Sequence, residues 1–202
     1  MPDRVSSKAF LKGWKRRNED DRAFPHIPLC FSDSFLLFTA DDSALSFSAL
    51  DSFVRQFIVS LVLHEIPVRG AMSYGYLYAN AENGLYFGQA LVESASVGEA
   101  QDWVGFALCK TVVDQLDVVG LSANKHLNYA SWPIPFKLQQ KDQCRGPIDL
   151  PAFIIGAGPS EQGQKNCRNA LSTMRNGTPP EVQRKYENTL AFLVGNVRNS
   201  SA

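Results

Sequence analysis

Ser32, Asp33 and Ser34 form a polar interruption inside a short apolar segment, residues 28–38 (PLCFSDSFLLF). Apolar residues on both sides predict a hairpin of two strands with the aspartate at its turn. A carboxylate in that position has two physical uses. Its oxygens can bind a hard cation such as Mg²⁺, or it can stabilise the turn by bonding the neighbouring backbone.

Arg69 is a second candidate for a ligand-binding residue. It lies before a glycine in segment 67–75 (PVRGAMSYG), which belongs to a predicted long strand over residues 68–79. Its planar guanidinium suits bidentate binding of a phosphate, and it suits a structural ion pair equally well. Ser73 lies on the same predicted strand and would line a site built there.

The remaining reactive side chains give weaker indications. Glu93 is either a ligand or a first-turn helix residue that interacts favourably with the helix dipole. The cysteines are far apart in sequence and form no metal-binding motif, so we expect reduced thiols and no structural zinc; they are Cys30, Cys109, Cys144 and Cys167.

Composition narrows the class of protein. The chain has 202 residues, of which 45% are apolar and 20% charged, as expected for a globular protein. Twenty basic and twenty acidic side chains balance, so no overall charge favours nucleic acid or an anionic membrane. The longest apolar stretch, near residues 57–63, is far shorter than a membrane span, and no signal-peptide pattern is present. We therefore expect a cytoplasmic protein.

The predicted elements define the fold class. Residues 1–26 form a polar segment that can contain a short amphipathic helix, and residues 27–202 form a single domain. After the hairpin the pattern predicts a helix, a long hairpin, a helix, a strand and a helix. Residues 120–165 are expected to be loops with short strands at 129–138 and 153–155, and a final helix covers 181–194. Strands that alternate with covering helices predict an α+β protein, a ferredoxin-like two-layer sandwich.

Three segments, in this order and spacing, resemble the core of class III nucleotide cyclases, the superfamily of adenylate and guanylate cyclase catalytic domains. They are the hairpin segment 28–38, segment 67–75 and segment 87–93 (FGQALVE). Together with segment 185–189 (KYENT), they look most like small standalone bacterial cyclase-like proteins. Some of those proteins are pyrimidine cyclases of anti-phage defence.

The resemblance implies a homodimer that converts a nucleoside triphosphate into a 3′,5′-cyclic monophosphate and pyrophosphate by two-metal catalysis with Mg²⁺ or Mn²⁺. It implies that Asp33 binds metal and that Arg69 contacts phosphate. Ser32, Ser34 and Ser73 would line the nucleotide site.

The chain also departs from the family pattern. The strand that carries the family's first metal aspartate is missing from residues 1–26. Leu29 and Leu85 stand where purine cyclases read the base, which is consistent with a pyrimidine substrate. Val92 and Ser96 stand where the family's catalytic helix has Asn and Arg. The chain is therefore a cyclase whose start lies further upstream, a cyclase-like binding module without activity, or an unrelated α+β domain with a structural hairpin aspartate.

Overall fold

A computed structural model describes residues 26–31, 34–80, 82–123, 127, 129–137, 149–153 and 161–199. It contains both helices and strands, which agrees with the predicted α+β class at that level. Contacts divide the chain into two compact units, Met1–Phe57 and Ile58–Ala202. The boundary predicted at residue 26 stays a prediction, because residues 1–25 lie outside the described part.

The first unit contains the predicted hairpin. Strand β1 (His26–Phe31) pairs antiparallel with β2 (Ser34–Phe38), and Leu29 lies opposite Leu36. Ser32 and Asp33, on which the metal prediction depends, lie between the two strands and outside the described residues.

Helix α1 (Ala44–Leu63) begins in the first unit and ends in the second. Ser43 caps it, because the hydroxyl oxygen accepts a hydrogen bond from the backbone N–H of Ser46 at 3.2 Å. Its apolar stripe is core, as its spacing predicts, and the buried members are Phe53, Val54, Phe57, Ile58 and Val62. Among the described residues, α1 is the one helix long and apolar enough to cross a membrane, a test that buried core helices also pass.

The second unit is built on a four-stranded sheet in the order β3-β6-β8-β7. Its strands are β3 (Arg69–Met72), β6 (Gly105–Leu108), β7 (Ala130–Pro133) and β8 (Asp149–Phe153). β3 and β6 are parallel, and β8 runs antiparallel to both of its neighbours, β6 and β7. All four residues of β6 are buried, so this strand forms the centre of the core.

The connection from β3 to β6 carries a small hairpin and a helix. Strand β4 (Tyr78–Asn80) pairs with β5 (Leu85–Phe87), and the rings of Tyr78 and Phe87 stack at 4.7 Å. Helix α2 (Gln89–Ala100) follows and packs on β3. The long strand predicted over residues 68–79 is wrong: β3 ends at Met72, and a non-strand segment leads to β4.

Three further helices complete the described part: α3 (Lys110–Val118), α4 (Glu161–Asn176) and α5 (Pro180–Asn199). Proline at the start of α5 agrees with its prediction. The sequence does not predict helix α4, because most of its residues are polar and its few buried positions include small side chains. Those positions are Cys167, Ala170, Leu171 and Met174, at helical spacing.

Candidate functional site

The predicted site residues fall at separate places. Ser34 is exposed at the start of β2 in the first unit, while Ser32 and Asp33 lie outside the described residues. Arg69 begins β3, and Ser73 follows its last residue. Four residues of extended strand separate two Cα atoms by about 13 Å, so Arg69 and Ser73 lie at opposite ends of the strand.

At the carboxyl end of the β3–β6 pair, the polar side chains bond to one another. The Ser73 hydroxyl donates to the Ala90 carbonyl at 2.5 Å. The Thr111 hydroxyl accepts from the backbone N–H of Tyr74 at 3.0 Å and donates to the Glu93 carboxylate at 2.7 Å. These bonds tie the loop after β3 to both following helices.

Cys109 lies at the same end, directly after β6, and is 1% exposed. Burial raises the pKa of its thiol to about 12, and the nearby charge of Glu93 adds to the effect. A thiol held in its protonated form is a poor nucleophile, so Cys109 is suited to packing.

Gly88 makes the sharp turn from β5 into α2. Its φ is 153°, a conformation that residues with a side chain rarely adopt. A Cβ at this position would overlap the Tyr76 carbonyl oxygen. The turn therefore requires glycine, and it sets the start of α2 against the loop after β3.

At the amino end of the same two strands, a buried amide organises the backbone. Gln101 is fully buried; its side-chain N–H donates to the Gly70 carbonyl at 3.0 Å, and its side-chain oxygen accepts from the Trp103 indole at 2.6 Å. The Arg69 guanidinium donates to the Gln101 backbone carbonyl at 3.0 Å. The donor is the terminal nitrogen Nη1, so this bond holds one end of the guanidinium against the segment between α2 and β6.

Helix α5 is joined to that segment by three side chains. Arg184 forms an ion pair with Asp102 at 2.6 Å, and the Asn188 amide donates to the Asp102 carbonyl at 2.8 Å. The buried Thr189 hydroxyl accepts from the backbone N–H of Val104 at 2.8 Å. These bonds fix the position of the helix turn that carries residues 184–189.

Lys185 lies on that turn and is partly buried, with its ammonium 4.9 Å from the centroid of the Tyr186 ring. Burial lowers the pKa of Lys185, the positive charge of Arg69 lowers it further, and Asp102 opposes the change. The structure therefore brings Arg69, Asp102, Arg184 and Lys185 together. Sequence reasoning singled out Arg69 alone, because its partners are more than 30 residues away and no local pattern connects them.

The two positions on α2 that the resemblance singles out, Val92 and Ser96, hold no charge. Val92 is 65% exposed and Ser96 is also exposed, so neither side chain substitutes for an amide or a guanidinium. Within the described ranges, no three His, Cys, Asp or Glu side chains form a group able to hold a metal ion.

Comparisons with protein-family models, with curated proteins and with solved structures found no match for this chain.

Proposed function

We propose that this chain is a nucleotide cyclase-like domain that binds a nucleoside triphosphate with Mg²⁺ or Mn²⁺ and converts it to a 3′,5′-cyclic monophosphate and pyrophosphate. The domain has the ferredoxin-like arrangement of the class III cyclases and acts as a cytoplasmic homodimer. A pyrimidine nucleotide is the substrate most consistent with Leu29 and Leu85.

One observation supports the proposal most directly. Two of the three resembling segments, 67–75 and 87–93, contact each other through the bond from Ser73 to Ala90, and the turn at Gly88 approaches Tyr76, directly after the first of them. A glycine that the local backbone requires stands at the position where the family turns into its catalytic helix. The two segments are therefore in contact as well as in the order of the resemblance, which supports the proposal.

The proposed roles follow from the side chains. Asp33 supplies the metal-binding carboxylate. Arg69 carries five N–H donors, and its bond to the Gln101 carbonyl occupies one nitrogen, so donors remain for a phosphate. Ser32 and Ser34 flank the metal aspartate. Ser73 faces the nucleotide as an acceptor, since its hydrogen is donated to Ala90.

A second candidate is a cyclase-like module that binds the nucleotide without converting it. The exposed, uncharged Val92 and Ser96 favour this alternative, because neither supplies the amide or the positive charge that the resemblance calls for on the transferred phosphate. Loss of one preorganised donor typically costs about 3 kcal/mol of transition-state stabilisation. Binding affinity would survive that loss better than turnover.

The test is incubation of the purified protein with each of the four nucleoside triphosphates and Mn²⁺, with product identification by mass spectrometry. We expect cyclic product from the wild type and from Asp117→Asn, an exposed carboxylate on α3, and none from Asp33→Asn. Nucleotide binding without product from any of the four would favour the non-catalytic module. Absence of both binding and product would contradict the nucleotide proposal.

A further inference from the structure

A cluster of four charged side chains surrounds the segment of Gln101 and Asp102. Arg69 is anchored to the Gln101 carbonyl, and Arg184 is paired with the Asp102 carboxylate. Lys185 is the next residue on α5 and shares its helix face with Asn188 and Thr189, which bond Asp102 and Val104. Three cations and one carboxylate leave an excess of two positive charges at this place.

The two arginines differ in how their charge is balanced. Arg184 lies 2.6 Å from the Asp102 oxygen, so the carboxylate neutralises this guanidinium. Arg69 bonds a neutral carbonyl, and Lys185 forms no ion pair with a carboxylate among the described residues. The uncompensated charges are therefore those of Arg69 and Lys185.

Holding these two cations together is unfavourable in the free protein. Like charges repel, and partial burial of the ammonium removes part of the water that would screen it. The lowered pKa of Lys185 has these two causes. The bonds of Arg184, Asn188 and Thr189 nevertheless fix α5 in place, so the helix cannot easily move Lys185 away. An anion between the two cations would remove the repulsion.

We propose that Arg69 and Lys185 form a binding site for a phosphoryl group, and that the Asp102–Arg184 ion pair is the positioning element that holds Lys185 beside Arg69. A doubly charged phosphate matches the excess of two positive charges. The guanidinium supplies a planar fork of N–H donors, and the ammonium supplies a compact point charge.

This inference rests on the proposed function only for the identity of the ligand, a nucleoside triphosphate. The site lies at the amino end of β3, away from the bonded groups around Ser73 and Thr111. Binding of a simple phosphate requires no turnover and no metal. The phosphoryl site can therefore be disproved without disproving the cyclase function, and the cyclase function without disproving the site.

Calorimetry with pyrophosphate in metal-free buffer tests the site, since the absence of metal removes any contribution from Asp33. We expect measurable binding to the wild type, and affinity reduced at least tenfold in Lys185→Met and in Arg69→Met, because each loses a charge-assisted contact. Lys165→Met is the matched control, an exposed cation on α4, and should bind like the wild type. Lys185→Arg should retain most of the affinity.

Two results would overturn the inference: no pyrophosphate binding to the wild type, or equal affinities of the Lys185→Met and Lys165→Met proteins. Thermal unfolding of each variant establishes that it is folded. Acetylation of the wild type with limiting acetic anhydride gives a readout that needs no substitution. Pyrophosphate should slow the acetylation of Lys185 and leave that of Lys165 unchanged; an equal effect of pyrophosphate on the two lysines would count against the site.

Discussion

Both ends of the parallel β3–β6 pair carry polar side chains, and the two sets differ in how their hydrogen bonds and charges are balanced. At the carboxyl end, Ser73, Thr111 and Glu93 bond to each other and to backbone groups. At the amino end, Arg69 bonds a backbone carbonyl, and neither Arg69 nor Lys185 forms an ion pair with a carboxylate among the described residues.

The difference separates a hydrogen-bonded joint, formed by Ser73, Thr111 and Glu93, from a charged candidate site, formed by Arg69 and Lys185. Polar groups that bond one another stabilise a loop and leave fewer groups for a ligand, such as the acceptor that Ser73 keeps. Charges that stay uncompensated cost free energy in the free protein, and a ligand of opposite charge recovers it. In many open α/β sheets, ligands bind at the carboxyl ends of parallel strands. In this protein the unbalanced charge is at the other end.

The largest expected effect is at the joint. Gly88→Ala would place a methyl group against the Tyr76 carbonyl in a backbone conformation that alanine rarely adopts. We expect a loss of about 3 kcal/mol in the free energy of unfolding, measured by urea denaturation.

Gly84→Ala is the matched control. Gly84 also has a positive φ, 65°, in the β4–β5 turn, but no atom lies within 4 Å of the position that a methyl group would take there. The control should lose about 1 kcal/mol, the usual cost of that conformation. Equal losses in the free energy of unfolding of the two variants would show that the close approach of Gly88 to the Tyr76 carbonyl does not contribute to stability.

An intermediate loss of stability is expected at the amino end of the β3–β6 pair, where Thr189 connects α5 to the segment before β6. Thr189→Val keeps the shape of the side chain and leaves the buried N–H of Val104 without its acceptor. An unsatisfied buried donor costs about 2 kcal/mol, which urea denaturation would detect.

Thr173→Val is the corresponding control on α4. Thr173 is exposed and its hydroxyl bonds only the Asn169 carbonyl one turn earlier. Its replacement should change the free energy of unfolding by less than about 0.5 kcal/mol. If Thr189→Val were equally mild, the rigid placement of Lys185 that the phosphoryl site requires would lose its support.

Local patterns predicted much of this architecture. Apolar residues on both sides of segment 32–34 predict the β1–β2 hairpin, and the apolar stripe from Phe53 to Val62 predicts α1. These signals depend on neighbours within a few residues, so the sequence alone carries them.

Features that depend on distant partners were not predictable in this way. The sequence indicates Arg69 as a phosphate ligand, but its surroundings depend on the Gln101 carbonyl, which accepts its hydrogen bond, and on the charge of Lys185, 116 residues further along the chain. Helix α4 was missed because its buried stripe includes Cys167 and Ala170, which give a weak hydrophobic signal.

The smallest expected change in stability concerns Cys109. The ionisation of its thiol shows whether water reaches the carboxyl end of the β3–β6 pair. The thiol keeps its proton in the folded protein up to a pKa of about 12, whereas in the unfolded chain it ionises near its ordinary pKa of 9.0. The unfolded state therefore binds fewer protons above pH 9, and stability falls as pH rises from there towards 12. Between pH 8 and pH 10 this contribution amounts to about 1 kcal/mol.

Other groups titrate in the same range, so the informative quantity is a difference between proteins. Cys109→Ala and Cys109→Ser lack the ionising thiol, and each should lose about 1 kcal/mol less than the wild type between pH 8 and pH 10 in urea denaturation. A pH-independent difference would mean that the thiol ionises equally well in the folded protein. The carboxyl end of the β3–β6 pair would then be open to water. The proposed difference between a solvent-excluded carboxyl end and a charged amino end would be wrong.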